Sequence, residues 1–189
     1  MQRGFKAYAG RTADALRREM DLSPLDRFEP FRACEHLGIA VYPFSALEEN
    51  GVSLRHSIVR ADGPVSAFSI ILPPQERVFF YNDTRARTRV VSDVSHEIAH
   101  ALLFHPPHSL SDLRCSDMPT EAEDEAAHLA GILLVSDEAA LRVACDNLDL
   151  EIAANMYGVS LDMMTYRINV SGARRRADRR RRVLRSRTA

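Results

Sequence analysis

The sequence is poor in cysteine and has no long apolar run, and both shortages narrow the class of protein. Its three cysteines, at positions 34, 115 and 145, are widely spaced. They predict neither a disulfide framework nor a cysteine zinc site. The longest apolar run, residues 129–135, is far shorter than the roughly 18 residues of a membrane span. Residues 1–20 also lack the continuous apolar stretch of a signal peptide, so we expect a cytoplasmic protein without membrane partners.

Positive charge is concentrated in one segment. The chain has a single lysine, and nine of its 24 arginines lie between Arg174 and Arg187. Residues 1–173 consequently carry a net charge of −9, whereas the whole chain carries −1. A solvated, disordered tail over residues 173–189 is the simplest interpretation. Contact with an acidic partner or weak contact with nucleic acid is the alternative, because arginines neutralise phosphates. The segment has no aromatic side chain on which a base could stack.

The apolar spacing predicts an α+β fold in which a small, mainly antiparallel sheet packs on one long helix, followed by a helical C-terminal region. The predicted helices span residues 5–20, 30–37, 84–104, 120–135, 137–147, 149–157 and 160–170. The predicted strands span residues 39–42, 52–59, 65–72 and 77–81. We expect a core over residues 1–135, a helical subdomain over 136–172 packed on that core, and the tail beyond it.

A His-Glu motif stands in the long predicted helix, as His96-Glu97-Ile98-Ala99-His100. Residues four apart share one face of a helix, so His96 and His100 can present two imidazoles to one metal ion. In H-E-x-x-H enzymes the metal is zinc, and the glutamate accepts the proton of the attacking water. Hydrogen-bonded histidines in the core are the structural alternative. The broad apolar face of this helix favours the metal site, because isolated charges are costly in such surroundings.

A third zinc ligand is expected in the acidic cluster that follows the loop after this helix, which consists of Glu121, Glu123, Asp124 and Glu125. At about 100° per residue, Glu123 continues the apolar stripe of its predicted helix, whereas Glu121 points away and Glu125 lies on the flank. The alternative is a capping box, in which Thr120 and Glu123 satisfy backbone N–H groups at the start of the helix. The alanines after Glu123 favour the ligand role, because small side chains let two helices approach closely.

With these residues, the sequence resembles the ImmA/IrrE family of metallopeptidases. The resemblance covers nearly the whole chain before the tail. Besides the His-Glu motif, it is carried by Tyr81-Asn82 ahead of that motif, by residues 123–134, by residues 157–160 and by Tyr166-Arg167, all in the order of the family. The resemblance implies a zincin-like fold and a zinc endopeptidase. It further implies that the substrate is a helix-turn-helix transcriptional repressor in a mobile-element or stress response.

The resemblance also implies a Zn²⁺ cofactor held by His96, His100 and Glu123, with Glu97 as general base. One position departs from the family pattern. Four residues after the ligand glutamate the family usually has Asp or Asn, and this chain has Ala127. Loss of a residue that orients a ligand histidine costs about 10–100-fold in affinity or activity, so Ala127 puts full activity in doubt. His128 is adjacent but about 100° round the helix, and it is not expected to substitute.

A non-catalytic regulator is the competing function. In that interpretation zinc only holds the fold, and the protein binds a repressor or DNA through residues 153–160, with Gly158-Val159-Ser160 as the turn of a helix-turn-helix. A helix pair capped by Ser160 explains the same segment as packing.

For a peptidase, the residue that donates to the developing oxyanion stays undecided. The candidates are Tyr81, His105, His108, Arg114, Tyr157 and Tyr166. His36 and His56 are expected on the surface or in packing roles.

Overall fold

The computed structural model describes residues 3–49, 66–106 and 120–187. The helices in these ranges are α1 (Phe5–Glu19), α2 (Pro30–His36), α3 (Phe44–Glu49), α4 (Arg87–Leu102), α5 (Thr120–Leu134), α6 (Asp137–Cys145), α7 (Leu150–Tyr157), α8 (Leu161–Val170) and α9 (Ala173–Arg187). The strands are β1 (Ala40–Pro43), β2 (Ala67–Leu72) and β3 (Glu76–Tyr81). The predicted α+β class is thereby confirmed. The predicted strand at residues 52–59 lies outside the described ranges.

β3 is the central strand of the sheet, in the order β1-β3-β2. It pairs parallel with β1 and antiparallel with β2, so the small sheet is mixed. Successive side chains of a strand point to opposite faces. Phe79 accordingly enters the main core, whereas Val78 and Phe80 join a smaller apolar cluster with Phe44 and Phe68. α4 packs on β2 and β3, and the core around Phe79 fixes this helix against the sheet.

α4 and α5 pack against each other in the main core. To this core α4 contributes the buried side chains of Val90, Val94 and Ile98, and α5 contributes those of Ala126, Leu129, Ala130 and Leu133. Full burial of a Val, Leu or Ile side chain contributes roughly 1.5–3 kcal/mol, so this core is a main source of stability. It also holds the helix with the His-Glu motif in a fixed position relative to the helix with the acidic cluster.

The C-terminal end of α5 is buried, and two arginines satisfy its carbonyl groups, which have no partner within the helix. Nη2 of Arg17 donates to Leu133 O at 2.7 Å, and Nε of Arg167 donates to Val135 O at 2.8 Å. Both side chains are almost fully buried. This burial lowers the pKa of each guanidinium. Neither arginine was predicted to be buried, because a charged side chain is ordinarily assigned to the surface.

Residues 173–187 form helix α9, so the predicted disordered tail is wrong for these residues. Ala173 and Ala177 lie one turn apart and are buried, and α9 packs on α6 and α8. Arg181 donates to the carbonyls of Ala144 and Cys145 near the end of α6, at 2.8 and 3.3 Å. The prediction of a tail considered only the charge of the segment. It overlooked these two alanines, which pack the helix against its neighbours. The division of the chain at residues 135 and 172 stays a prediction.

The structure also bears on the cysteine and membrane predictions. Cys34 is buried and Cys145 is half-buried, and both are free thiols. Burial raises the pKa of Cys34 to about 12, so this thiol is unreactive. Cys115 lies outside the described ranges. Among the described helices, none has the combination of length and apolar character needed to cross a bilayer.

Acidification should destabilise the fold through His128, which is buried on α5 beside the ring of Phe5. Burial lowers the pKa of His128, and the charges of Arg167 and Lys6 add to this effect. The unfolded chain, whose histidines have a pKa of about 6.5, therefore binds more protons than the folded chain below that pH. Stability contributed by the neutral His128 is thus lost as the pH falls below about 6.5.

We expect the His128→Gln variant, which cannot titrate in this range, to lose less stability than the native chain between pH values of about 7 and 5. Urea denaturation of chelator-treated protein at both pH values measures the difference without a contribution from metal binding. His36→Gln is the matched control, because His36 is exposed on α2. An equal loss of stability in the native chain and in His128→Gln would contradict the assignment.

Candidate metal centre

Asn82 fixes the junction between β3 and α4. Its backbone N–H donates to Ser66 O at 2.9 Å. Its side-chain Oδ1 accepts from the backbone N–H and the hydroxyl of Thr84, at 3.1 and 2.7 Å. Short polar side chains stabilise turns by such bonds. Because Asn82 is buried, this turn is part of the core, and α4 leaves the sheet in a defined direction.

α4 carries His96 and His100 on one face. Their ring centroids lie 4.7 Å apart with the rings inclined at 74°, and their Nε2 atoms are 3.0 Å apart. The His100 side chain is 3% exposed, whereas that of His96 is 28% exposed. The pair therefore has an inner, buried member and an outer member that solvent can reach.

α5 directs Glu123 at both histidines. The Glu123 Oε2 atom lies 3.1 Å from Nε2 of His96, and Oε1 lies 3.3 Å from Nε2 of His100. The Glu123 carboxylate thus contacts both histidines of the neighbouring helix. The capping-box alternative does not require this contact. Its side chain is 41% exposed. The group consequently opens to solvent on the side of Glu123 and is closed on the side of His100.

The three side chains fit a single metal ion. One donor atom of each lies within 4.8 Å of the others. Zinc bonds of about 2.0–2.1 Å in tetrahedral geometry separate neighbouring ligand atoms by about 3.3–3.4 Å. The two Nε2 atoms are 3.0 Å apart, and each lies 3.1 or 3.3 Å from a different oxygen of the Glu123 carboxylate, so the distances are close to that value. Two imidazole nitrogens and one carboxylate oxygen are also the donor set of known catalytic zinc sites, in which one position remains open.

Glu97 stands next to His96 on α4 and is 4% exposed. Arg77 of β3 is a positive charge close enough to interact electrostatically with Glu97. Burial lowers the pKa of Arg77, and the Glu97 carboxylate opposes that shift. A buried carboxylate is costly unless an opposite charge compensates it, and Arg77 supplies such a charge. Arg77 was not among the predicted site residues, although alternation along β3 places it on the same face as the core residue Phe79, toward α4.

His105 lies behind His100. The two Nδ1 atoms are 2.9 Å apart and the ring centroids 5.0 Å apart. His105 Nε2 lies 4.0 Å from Oε2 of Glu125. Burial lowers the pKa of His105, and the Glu125 carboxylate opposes this shift. His105 was one of six candidate donors to an oxyanion, but its ring contacts the nitrogen of His100 that faces away from Glu123.

The remaining predicted positions are scattered. Tyr157 is buried in the main core, and Tyr166 is exposed on α8. The Tyr81 ring packs edge-to-face on Phe31, with centroids 5.4 Å apart. His36 is exposed on α2, 3.5 Å from Glu19, in the surface position predicted for it. The candidates that lie outside the described ranges are His56, His108 and Arg114.

Position 127 and its neighbour do not join the His-His-Glu group. Ala127 is exposed on α5. His128 is buried, and its ring lies 6.1 Å from that of Phe5 in α1. The expectation that His128 does not replace the missing Asp or Asn agrees with this position.

A helix-borne histidine pair completed by a glutamate is the ligand set of those H-E-x-x-H metallopeptidases that resemble thermolysin. The chain belongs to the family described as the IrrE N-terminal-like domain, a peptidase family whose model matches residues 34–169. The resemblance inferred from the sequence is thereby confirmed. Neither a curated relative nor a solved structure matches the chain. Family membership supports a protease role with a protein substrate, and the His-His-Glu group fits a metal cofactor.

Proposed function

We propose that this protein is a zinc-dependent endopeptidase, with His96, His100 and Glu123 as zinc ligands and Glu97 as general base. The observation that carries the proposal is the convergence of two imidazole nitrogens and a carboxylate at separations of 3.0–3.3 Å, beside a buried glutamate. Histidine nitrogen and carboxylate oxygen suit zinc well. When bound, zinc would act as a Lewis acid that polarises the scissile carbonyl and makes a water molecule acidic near neutral pH.

Each residue of the proposed site has a separate role in hydrolysis. His100 is the buried ligand that anchors the site, and His96 and Glu123 leave it open to solvent. Glu97 accepts a proton from the attacking water and delivers a proton to the amine nitrogen that leaves. Water oxygen thereby joins the carbonyl carbon, the C–N bond breaks, and the products are a carboxylate and an amine. Arg77 balances the charge of the buried Glu97 in its resting form.

The proposed substrate is a helix-turn-helix repressor in the cytoplasm, in keeping with the resemblance to the ImmA/IrrE family. The regulator alternative has less support. The exposed side chains of α8 are Leu161, Asp162, Tyr166, Asn169 and Val170. They include no arginine or lysine, the side chains that commonly contact phosphate and guanine in DNA-binding helices. The exposed arginines of α9 could contribute weak, salt-dependent contact with nucleic acid, without a part in hydrolysis.

The test uses the full chain and, as candidate substrate, any helix-turn-helix repressor that a neighbouring gene encodes. We expect zinc-loaded protein to cut the repressor at one bond, which mass spectrometry of the products identifies. Treatment with 1,10-phenanthroline should stop cleavage, and stoichiometric zinc should restore it, because the metal is bound reversibly. Cleavage that persists in the metal-free protein would contradict the zinc mechanism. Tight repressor binding without cleavage by the zinc-loaded protein would favour the non-catalytic regulator.

A further inference from the structure

A row of side chains runs from His100 of the His-His-Glu group through His105 to Glu125 of α5. The His100 ring turns Nε2 toward Glu123, and its other nitrogen, Nδ1, lies 2.9 Å from Nδ1 of His105. His105 Nε2 in turn lies 4.0 Å from Oε2 of Glu125. The proposed peptidase mechanism uses neither His105 nor Glu125. Both side chains are largely buried, at 15% and 14% exposure.

We propose that His105, with Glu125 behind it, is a positioning residue that holds His100 in the orientation and tautomer needed for metal binding. The inference rests on the proposed function, because it assigns Nε2 of His100 to the metal. A nitrogen that binds zinc carries no proton, so the proton of a neutral His100 sits on Nδ1. His100 Nδ1–H then donates to Nδ1 of His105. The proton of His105 is consequently on Nε2, the nitrogen that faces Glu125.

Glu125 selects this arrangement by its charge. The 4.0 Å between His105 Nε2 and Glu125 Oε2 is longer than a hydrogen bond. At this separation the carboxylate attracts the positive end of an N–H dipole on Nε2. The same charge disfavours the tautomer that carries its proton on Nδ1, in which His105 could not accept from His100. Since both side chains are largely buried, solvent screens the attraction less than it would at the surface.

The backbone after α4 is arranged so that His105 reaches His100. Phe104 has a φ of 57°, a left-handed conformation that costs a non-glycine residue about 1–2 kcal/mol. Phe104 as a whole is 90% exposed, so burial does not offset this cost. The turn lets the His105 N–H donate to His100 O at 3.0 Å, the bond of a Schellman cap. Arg77 Nη2 donates to His105 O at 2.8 Å and ties the cap to β3.

This row supplies what position 127 lacks. A metal-ligating histidine ordinarily donates its second ring N–H to a fixed acceptor. Ala127 has no polar side chain and is exposed, whereas His105 is already within hydrogen-bond distance of the second nitrogen of His100. The role that the family usually gives to Asp or Asn is therefore assigned here to His105, and the carboxylate stands one step further out, on Glu125.

The test measures the zinc affinity of the full chain by competition with a chromophoric chelator. His105→Leu removes the acceptor for the His100 N–H and should weaken zinc binding by about 10–100-fold. His105→Asn keeps a carbonyl oxygen near the position of Nδ1 and should retain most of the affinity. Glu125→Gln removes only the charge and should cause a smaller loss. Asp124→Asn is the matched control, because it removes a charge from an exposed neighbour on the same helix, and its affinity should equal the native value.

A second measurement distinguishes positioning from a merely structural role. Long-range ¹H–¹⁵N spectra of the zinc-loaded protein report the tautomer of each histidine. We expect the native His105 to carry its proton on Nε2, and Glu125→Gln to shift it toward a mixture of tautomers. Asp124→Asn should leave the spectrum of His105 unchanged. A native His105 protonated on Nδ1 would overturn the proposal, even if His105→Leu proved unable to fold.

The outcomes separate this inference from the proposed function. Native zinc affinity in both His105→Leu and Glu125→Gln would overturn the positioning role and leave the peptidase site intact. A native chain that binds no zinc through His96, His100 and Glu123 would overturn both. A large loss of zinc affinity in His105→Leu, a smaller loss in Glu125→Gln and none in Asp124→Asn would support the proposed roles of His105 and Glu125.

Discussion

Replacement of Glu97 by Gln should leave zinc bound and slow peptide cleavage by roughly 100- to 10,000-fold, the usual contribution of general acid–base catalysis. Glutamine has the shape of glutamate, but its amide does not accept a proton near neutral pH. The match in shape matters because Glu97 is 4% exposed, and a smaller residue would leave a cavity beside α4. The variant therefore isolates proton transfer from packing and from metal binding.

The comparison requires kcat of the native chain and of Glu97→Gln on the same repressor, together with zinc content by atomic absorption. Glu35→Gln is the control, because Glu35 is exposed on α2 and the substitution removes an identical charge. We expect native kcat and native zinc content in this control. Near-native cleavage by Glu97→Gln would exclude Glu97 as the base. Loss of zinc from Glu97→Gln would instead assign Glu97 to the structure of the metal site.

The residues of the His-His-Glu group could be predicted because each follows from the periodicity of one helix. The spacing of His96 and His100 places them on a shared face in any α-helix. The phase of α5 selected Glu123 from four nearby acidic residues, and the structure brings its carboxylate within 3.1 and 3.3 Å of the two Nε2 atoms. In the sequence, nothing but the need of a catalytic zinc for a third ligand indicates that these two helices lie side by side.

The surroundings of the group could not be predicted in the same way, because they depend on contacts between elements. Helix C-termini favour glycine in the left-handed position, and Phe104 gives no such signal. Without that turn, the sequence offers no reason to bring His105 back to His100. Arg77 reaches the site only through the packing of β3 on α4. Likewise, the charge count at residues 174–187 describes solvation, whereas the buried face of α9 depends on its neighbours α6 and α8.

The buried arginines lead to the second large effect, on stability. Arg17→Met should lower the free energy of unfolding by about 3 kcal/mol, since a hydrogen bond from a charged donor contributes about 1.5–3 kcal/mol and a buried acceptor left unpaired is costly. Arg17 donates to Ser23 O at 3.2 Å and Asp26 O at 3.0 Å from Nη1, and to Leu133 O at 2.7 Å from Nη2. Methionine can occupy the volume but donates no hydrogen bond.

For a chain of this length, such a loss should lower the melting temperature by about 6–12 °C. Urea denaturation and thermal unfolding of the chelator-treated protein measure both quantities. Arg11→Met is the matched control on the exposed side of α1, and we expect its free energy of unfolding to change by no more than about 0.5 kcal/mol. Arg17→Lys should fall between the two, because one ammonium group cannot span carbonyls that the planar guanidinium reaches in two directions. If Arg17→Met proved as stable as Arg11→Met, water would have to satisfy the end of α5, and the buried guanidinium would not be what ties α1 to the helix that carries Glu123.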